Sequence, residues 1–138
     1  MSKLSDQLRI HEGVRKHVYL CSAGYETIAV GRNIAESGIG LSDDEIDYLL
    51  ENDIKRCKQE LISLSWFSDL DAVRQDAIVN LCFNLGLTRL MGFQNAMGAM
   101  AVGDYEKAAD EFLDSRWAKQ VGQRSLDVAH MIRTGEYP

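Results

Sequence analysis

One segment of the chain has the alternating pattern of a β-hairpin, whereas most of the remaining sequence has helical spacing. Strand-forming residues occupy 18–20 and 25–30, and Ser22-Ala23-Gly24 between them has the composition of a turn. Folding about this turn places Cys21 roughly opposite Thr27, with both side chains facing the same space. A short hairpin held against a helical body predicts an α+β chain with a cleft that the hairpin borders.

Apolar spacing of three and four residues predicts helices on both sides of the hairpin. The predicted helices cover residues 3–12, 42–64, 71–85, 93–101, 104–115 and 123–134. Ser42 and Glu45 form a capping box at the start of the second, which is long enough to join a small lobe to a larger one. The third ends at Gly86 and is apolar enough to be the central buried helix. Gly31-Arg32-Asn33 is expected to leave the sheet.

Length and composition favour one domain. The 138 residues can bury a core without disulfides, and a single proline leaves no room for a disordered linker. We expect one domain over 1–138, with a hairpin lobe near 13–41 and a helical lobe near 65–138 on which the N-terminal helix packs. The first residues lack the apolar core of a signal peptide, and no run approaches the ~20 apolar residues that span a bilayer. Synthesis in a cytosol-like compartment is therefore expected.

The net charge of −6 argues against a protein that tracks nucleic-acid phosphates, because such proteins carry a basic stripe. The three cysteines have neither CxxC nor metal-ligand spacing, so no metal or cofactor is expected. Cys57 and Cys82 fall on apolar helix faces, which predicts buried free thiols. The acidic run 43–47 lacks the glycine and spacing of a calcium loop, and helix N-terminal charge explains it.

Glu12 is the first candidate catalytic residue. It closes the first predicted helix, and Gly13 is a good residue to follow a helix end. The negative end of the helix dipole disfavours an ionised carboxylate, which suits a general acid. Together with Cys21 and Thr27 it forms a candidate set of reactive groups. On the other hand, all three residues also suit purely structural roles.

A Cys–His pair and the segment 115–117 are two other candidate functional features. A Cys21 nucleophile paired with His17 is disfavoured, because four residues of strand separate them by ~13 Å. His11 lies on the first predicted helix and is the alternative partner if it swings in toward Cys21, but solvated histidines are the simpler interpretation. Ser115-Arg116-Trp117 suits either a ligand-binding role or an anchor of the helical lobe.

The sequence resembles the phage-type lysozymes, the glycoside hydrolase family that includes the T-even phage enzyme. That family shows Glu, eight residues, Asp or Cys, five residues and Thr, which matches Leu8-Arg9-Ile10-His11-Glu12-Gly13, Cys21 and Gly24-Tyr25-Glu26-Thr27-Ile28. The similarity continues, in order, in Asp69-Leu70-Asp71-Ala72-Val73-Arg74, Asn80, Phe83, Gly92-Phe93, Ala108-Ala109, Ser115-Arg116-Trp117 and Arg133-Thr134-Gly135.

The resemblance implies a lysozyme-like α+β fold, with a small antiparallel sheet lobe, a long connecting helix, a larger helical lobe and a cleft between them. It also implies cleavage of the β-1,4 bond between N-acetylmuramic acid and N-acetylglucosamine in peptidoglycan. Enzymes of this kind lyse the host at the end of infection. They are made in the cytoplasm and reach the wall through a holin-type pore. The expected partner is peptidoglycan, and we expect a monomer.

Site roles also follow from the resemblance. Glu12 matches the general acid, Cys21 stands where many relatives have Asp, and Thr27 matches the threonine beside the attacking water. The expected substrate-binding residues are Tyr19, Phe83 and Arg124, and the family places an arginine at the last position near its catalytic glutamate.

Three departures qualify the resemblance. A thiol at Cys21 is not a carboxylate, so it is a base only when ionised, or else a nucleophile. Ala29 and Arg32 replace a common Gly and His. The segment 34–41 is short, which predicts a minimal sheet lobe and a more open cleft. A lytic transglycosylase and an inactive wall-binding protein therefore remain as alternative functions.

Overall fold

The structure is a computed structural model that describes residues 2–138. Over this part of the chain it has eight helices and a three-stranded antiparallel sheet, which confirms the α+β class. The elements are α1 Lys3–Glu12, β1 Arg15–Leu20, β2 Glu26–Ala29, β3 Arg32–Asn33, α2 Asp43–Leu61, α3 Ala72–Leu85, α4 Leu87–Met91, α5 Gln94–Ala101, α6 Tyr105–Leu113, α7 Arg116–Val121 and α8 Gln123–Thr134. The chain forms two compact units, the first ending at Leu49 and the second running from Leu50 to Pro138.

The sheet of the first unit has the order β1-β2-β3. Tyr19 pairs with Thr27, so the prediction that Cys21 lies opposite Thr27 is wrong by two residues. The cause is a turn that begins at Cys21: its N–H donates to Tyr25 O at 3.0 Å, and its carbonyl accepts from Gly24 N at 2.8 Å. Because side chains alternate along a strand, a shift of two residues keeps Cys21 and Thr27 on the same face.

A third strand was not expected. Gly31-Arg32-Asn33 was predicted to leave the sheet, but β3 pairs with β2 through Ile28–Arg32 and Thr27–Asn33. Two left-handed residues reverse the chain between the strands, Ala29 with φ +60° and Gly31 with φ +68°. Left-handed backbone is unusual for an alanine, and the sequence pattern gave no sign of it.

Local capping explains where α2 begins. Ser42 N–H donates to Glu45 Oε1 at 3.0 Å, and Glu45 N–H donates to Ser42 Oγ at 3.4 Å, which is the predicted capping box. Arg32 adds an ion pair to Glu45 at 2.7 Å and donates to Gly40 O at 2.9 Å. The Arg32 guanidinium and the Ser42 groups lower the pKa of Glu45 to about 2. A short network therefore ties the loop after β3 to the first turn of α2.

The second unit contains the hydrophobic core. In it α8 packs against α3 and α6, and α6 also packs against α5. α3 contributes six buried residues, in agreement with its prediction as the central helix. Cys57 and Cys82 are buried and free, as predicted. Large side chains that are almost fully enclosed include Phe112, Leu61, Ile78, Leu81, Leu90, Met100, Ile132 and Val128.

Two short helices, α4 and α7, were not predicted. Ser115 starts α7 by accepting a hydrogen bond from Ala118 N at 3.1 Å, and Trp117 Nε1 donates to Asn84 Oδ1 at 2.7 Å. Trp117 is buried, so Ser115-Arg116-Trp117 is an anchor within the second unit. Across residues 2–138, no helix is long and apolar enough to cross a membrane.

Candidate active site

Glu12 is the last residue of α1, as the sequence predicted. Gly13 follows with φ +78°, and its N–H donates to Arg9 O at 3.0 Å, which ends the helix. The Glu12 carboxyl group lies against the backbone of Gly31. A Cβ built on Gly31 would lie 2.7 Å from Glu12 Oε2, so a larger residue at this position would displace the carboxyl group.

Thr27 lies on β2 with 3% of its surface exposed. Its hydroxyl donates to Tyr25 O at 2.8 Å, which commits the single hydroxyl proton to the protein. The oxygen lone pairs remain available, so Thr27 in this arrangement accepts hydrogen bonds and does not give one to a ligand. Tyr19 lies directly opposite on β1 and is half-buried.

The Cys21 thiol is half-buried and surrounded by donors. The Tyr25 N–H and then the Ala23 N–H lower the pKa of Cys21 most, and Gly24 contributes further; partial burial opposes them. The turn therefore favours a thiolate at this position. Neither His11 nor His17 is among the groups that act on the thiol.

Cys82 differs from Cys21. Burial, the neighbouring Cys57 thiol and the Glu60 carboxylate raise the pKa of Cys82 to about 12. A thiol with so high a pKa is a poor nucleophile and a poor metal ligand. Within residues 2–138, no group of three His, Cys, Asp or Glu side chains is arranged to hold a metal ion.

Two of the predicted substrate-binding residues, Phe83 and Arg124, line one cavity of about 410 Å³ in the second unit. Phe83 is 44% exposed and presents its ring to solvent. Arg124 donates through Nε to Asn80 Oδ1 at 2.8 Å and through Nη2 to Asn80 O at 3.2 Å. The cavity also borders Lys58 and Asp76, and Asp76 accepts a hydrogen bond from Tyr137 Oη at 2.5 Å.

The predicted residues are divided between the two units. Glu12, Cys21 and Thr27 belong to the first unit, with Tyr19 opposite Thr27, and Phe83 and Arg124 belong to the second. Two contacts in the site were not predicted from the sequence. Gly31 lies against the Glu12 carboxyl group, and Asn80 binds the Arg124 guanidinium. Asn80 and Phe83 are three residues apart, so they share a face of α3, and that spacing was the available signal.

Comparison with known proteins finds a family match and several similar proteins. The profile of the phage lysozyme family matches residues 9–132. A probable T4-type lysozyme of Dictyostelium discoideum is 26% identical, with 98% of this chain and 96% of that protein aligned. An endolysin of Acyrthosiphon pisum secondary endosymbiont phage 1 is 29% identical over 86% of this chain and 80% of that protein.

A longer phage protein also contains a similar region. The pre-baseplate central spike protein Gp5 of Enterobacteria phage T4 is 28% identical over 96% of this chain, which covers 28% of Gp5. Because the family profile extends over most of the sequence, with the α+β fold and the Glu12, Cys21 and Thr27 segment inside it, the chain belongs to the phage lysozyme family.

Proposed function

We propose that this protein is a muramidase that hydrolyses the β-1,4 bond between N-acetylmuramic acid and N-acetylglucosamine in peptidoglycan. Membership of the phage lysozyme family supports a lysozyme-type peptidoglycan hydrolase. The observation that carries the finer proposal is the first unit itself. A carboxylic acid seated on Gly31 and a thiol beside a threonine hydroxyl occur there at the family spacing.

Glu12 is the proposed general acid, which gives its proton to the leaving glycosidic oxygen. Thr27 is proposed to orient the attacking water. Its hydroxyl proton is committed to Tyr25 O, so the oxygen accepts a proton of the water and turns a water lone pair outward. Cys21, as a thiolate, then takes the other water proton as general base. In this scheme the water attacks the anomeric carbon and the configuration inverts.

The turn around Cys21 supports the base role. Its N–H groups stabilise a negative charge whether a sulfur or a carboxylate carries it. A cysteine can therefore replace the aspartate of many relatives without another source of positive charge. If Cys21 instead attacks the sugar, a covalent intermediate forms and the configuration is retained.

Substrate binding is proposed for Tyr19, Phe83 and Arg124. Exposed aromatic rings stack on sugar faces, and a guanidinium donates to acetamido or carboxylate oxygens. Biologically, we propose a phage endolysin that acts as a monomer in host cell lysis. It would be made in the host cytoplasm and be released to the wall through a holin-type pore.

The decisive experiment compares Glu12→Gln with Glu36→Gln, an exposed carboxylate in the loop after β3. Purified wild type and Glu36→Gln should clear permeabilised Gram-negative cells. Glu12→Gln should lose at least about a thousandfold in rate, because the amide has no proton to give. Circular dichroism checks that the variant stays folded. Substantial remaining activity in folded Glu12→Gln contradicts the assignment of the acid.

Mass spectrometry of the digested wall separates the alternative enzyme. Hydrolysis gives reducing muramic ends, whereas a lytic transglycosylase gives anhydro-muramic ends, and the latter product would overturn the hydrolase proposal. A wild-type protein that binds peptidoglycan without cleaving it would be the inactive wall-binding protein that a cysteine in place of a carboxylate suggests.

A further inference from the structure

The guanidinium of Arg124 is held along one edge by a single residue. Asn80 accepts from Nε with its side-chain oxygen at 2.8 Å and from Nη2 with its backbone oxygen at 3.2 Å. An arginine has five N–H donors in a fixed plane, so two bonds on one edge fix the direction of the remaining three. Within the second unit Arg124 forms no other hydrogen bond, so those three donors are available to a ligand.

Asn80 is a neutral hydrogen-bond partner, so it does not neutralise the positive charge of Arg124. No carboxylate within residues 50–138 forms an ion pair with Arg124, whereas Arg74 and Arg133 of the same unit both have acidic partners. Within the second unit, an asparagine therefore orients the guanidinium without cancelling its positive charge. Arg124 is half-buried and borders the cavity of about 410 Å³ together with Phe83.

We propose that Asn80 is a positioning residue for substrate binding, which aims the free edge of Arg124 at oxygen atoms of the peptidoglycan. This rests on the proposed function, and in particular on Arg124 as a substrate-binding residue. The backbone carbonyl alone is insufficient, because one bond leaves the guanidinium plane free to rotate. The side-chain oxygen of Asn80 supplies the second contact that stops this rotation.

The test is a double-mutant cycle on the full chain with initial rates measured against peptidoglycan concentration. Asn80→Ala and Arg124→Ala should each raise the apparent KM roughly tenfold, with kcat changed less than KM. The double variant should be no worse than Arg124→Ala, because Asn80 acts only through the guanidinium. Asn80→Asp keeps the accepting oxygen but adds a charge that pairs with the guanidinium, so it should keep the Nε–H bond while the apparent KM stays raised. Exposed Asn95→Ala is the matched control that should leave KM unchanged.

NMR spectroscopy tests whether Asn80 holds the Arg124 guanidinium, independently of enzymatic activity. In proton–nitrogen NMR spectra the Arg124 Nε–H should exchange slowly in wild type and Asn80→Asp, and about tenfold faster or more in Asn80→Ala. Additive effects in the cycle, or a normal KM for an Asn80→Ala variant whose Arg124 Nε–H exchanges fast, would overturn the proposal. A normal KM for Arg124→Ala overturns the substrate role of that arginine. A wild type that cleaves no peptidoglycan contradicts the proposed function, and the exchange data still report whether Asn80 holds Arg124.

Discussion

Gly31 links backbone conformation to the position of the proposed acid. Its φ of +68° is strained for any residue with a Cβ, and a Cβ there would collide with Glu12 Oε2. Gly40 has a similar φ of +63° and open space where its Cβ would be. The two glycines therefore share the backbone strain and differ in the contact with Glu12.

Substitutions of Gly31 and Gly40 can therefore be compared directly. Gly31→Ala and Gly40→Ala should each lower the free energy of unfolding by about 1 kcal/mol, because alanine resists left-handed backbone. Only Gly31→Ala should also lower kcat, by roughly a hundredfold, since its methyl group displaces the carboxyl group. Urea unfolding and turbidity clearing measure the two effects. Equal kcat values in the two variants would mean that the contact between Glu12 and Gly31 does not matter for catalysis.

Cys21 should be the reactive thiol of the native protein. The turn N–H groups lower its pKa, so its alkylation by iodoacetamide should have a midpoint below the ordinary value of ~8.5. Because the folded pKa lies below the unfolded one, the thiolate stabilises the fold above the unfolded pKa. This contribution is lost as pH falls through the folded pKa, so wild type should lose stability relative to Cys21→Ser over that range.

The lytic activity of Cys21 variants shows whether the thiol acts as a base. If Cys21 is the base, Cys21→Asp should clear cells and Cys21→Ser should not, and wild-type activity should rise with pH through the thiol pKa measured by alkylation. A serine variant as active as wild type would show that ionisation at this position is irrelevant.

The sequence contained the signals for Glu12, Cys21 and Thr27, because a helix end and a hairpin are local features that residue type and spacing encode. It contained no comparable signal for the bond between Asn80 and Arg124, whose partners are 44 residues apart. Gly31 was visible as a glycine, but the reason for it was not, since Glu12 approaches it from a different element.

At the scale of elements, Arg74 fastens α3 to the end of α8. It donates through Nε to Ile132 O at 2.7 Å and through Nη2 to Arg133 O at 3.2 Å, and its guanidinium lies 4.0 Å from the centre of the Tyr105 ring. The last carbonyls of a helix lack partners within the helix, so the half-buried Arg74 guanidinium is well placed to satisfy them. One side chain thus joins α3, α6 and α8.

Arg74→Ala should therefore lower the free energy of unfolding by about 2–3 kcal/mol, as expected when charge-assisted bonds are lost and carbonyls are left unpaired. Arg56→Ala is the comparison, because Arg56 pairs with Asp53 at 2.8 Å on the surface with 63% of its side chain exposed. Arg56→Ala should lower the free energy of unfolding by no more than about 0.5 kcal/mol. Thermal unfolding of both variants measures the difference, and similar losses would mean that the Arg74 contacts contribute no more than a surface pair.

Element boundaries were predictable where capping residues mark them. The bounds of α1 and α8 agree with the predicted 3–12 and 123–134, and Ser42 and Asp71 sit where helix starts were expected. The misses are short elements. α4, α7 and β3 have five, six and two residues, too few to show a period, and packing decides them instead of local pattern.

At the scale of the whole molecule, apolar burial is uneven. Every buried hydrophobic residue of the described chain lies between Cys57 and Ile132. The first unit has Thr27 as its buried residue, while Leu4, Leu20, Ile39 and others remain exposed. Since burial of apolar surface supplies most of the free energy of folding, the second unit should carry the cooperative stability.

A fragment of residues 42–138 should therefore fold by itself. It keeps α2 complete with the capping residue Ser42, and it contains the whole buried core. We expect helical circular dichroism and one cooperative thermal transition, whereas residues 2–41, with a small sheet and no buried hydrophobic side chain, should unfold without a transition. Neither fragment should cleave peptidoglycan, because the proposed acid and the proposed Arg124 contact are then on separate chains. A 42–138 fragment with helical signal but no cooperative transition would show that the core seen within these residues is insufficient, and that the first unit contributes to the stability of the second.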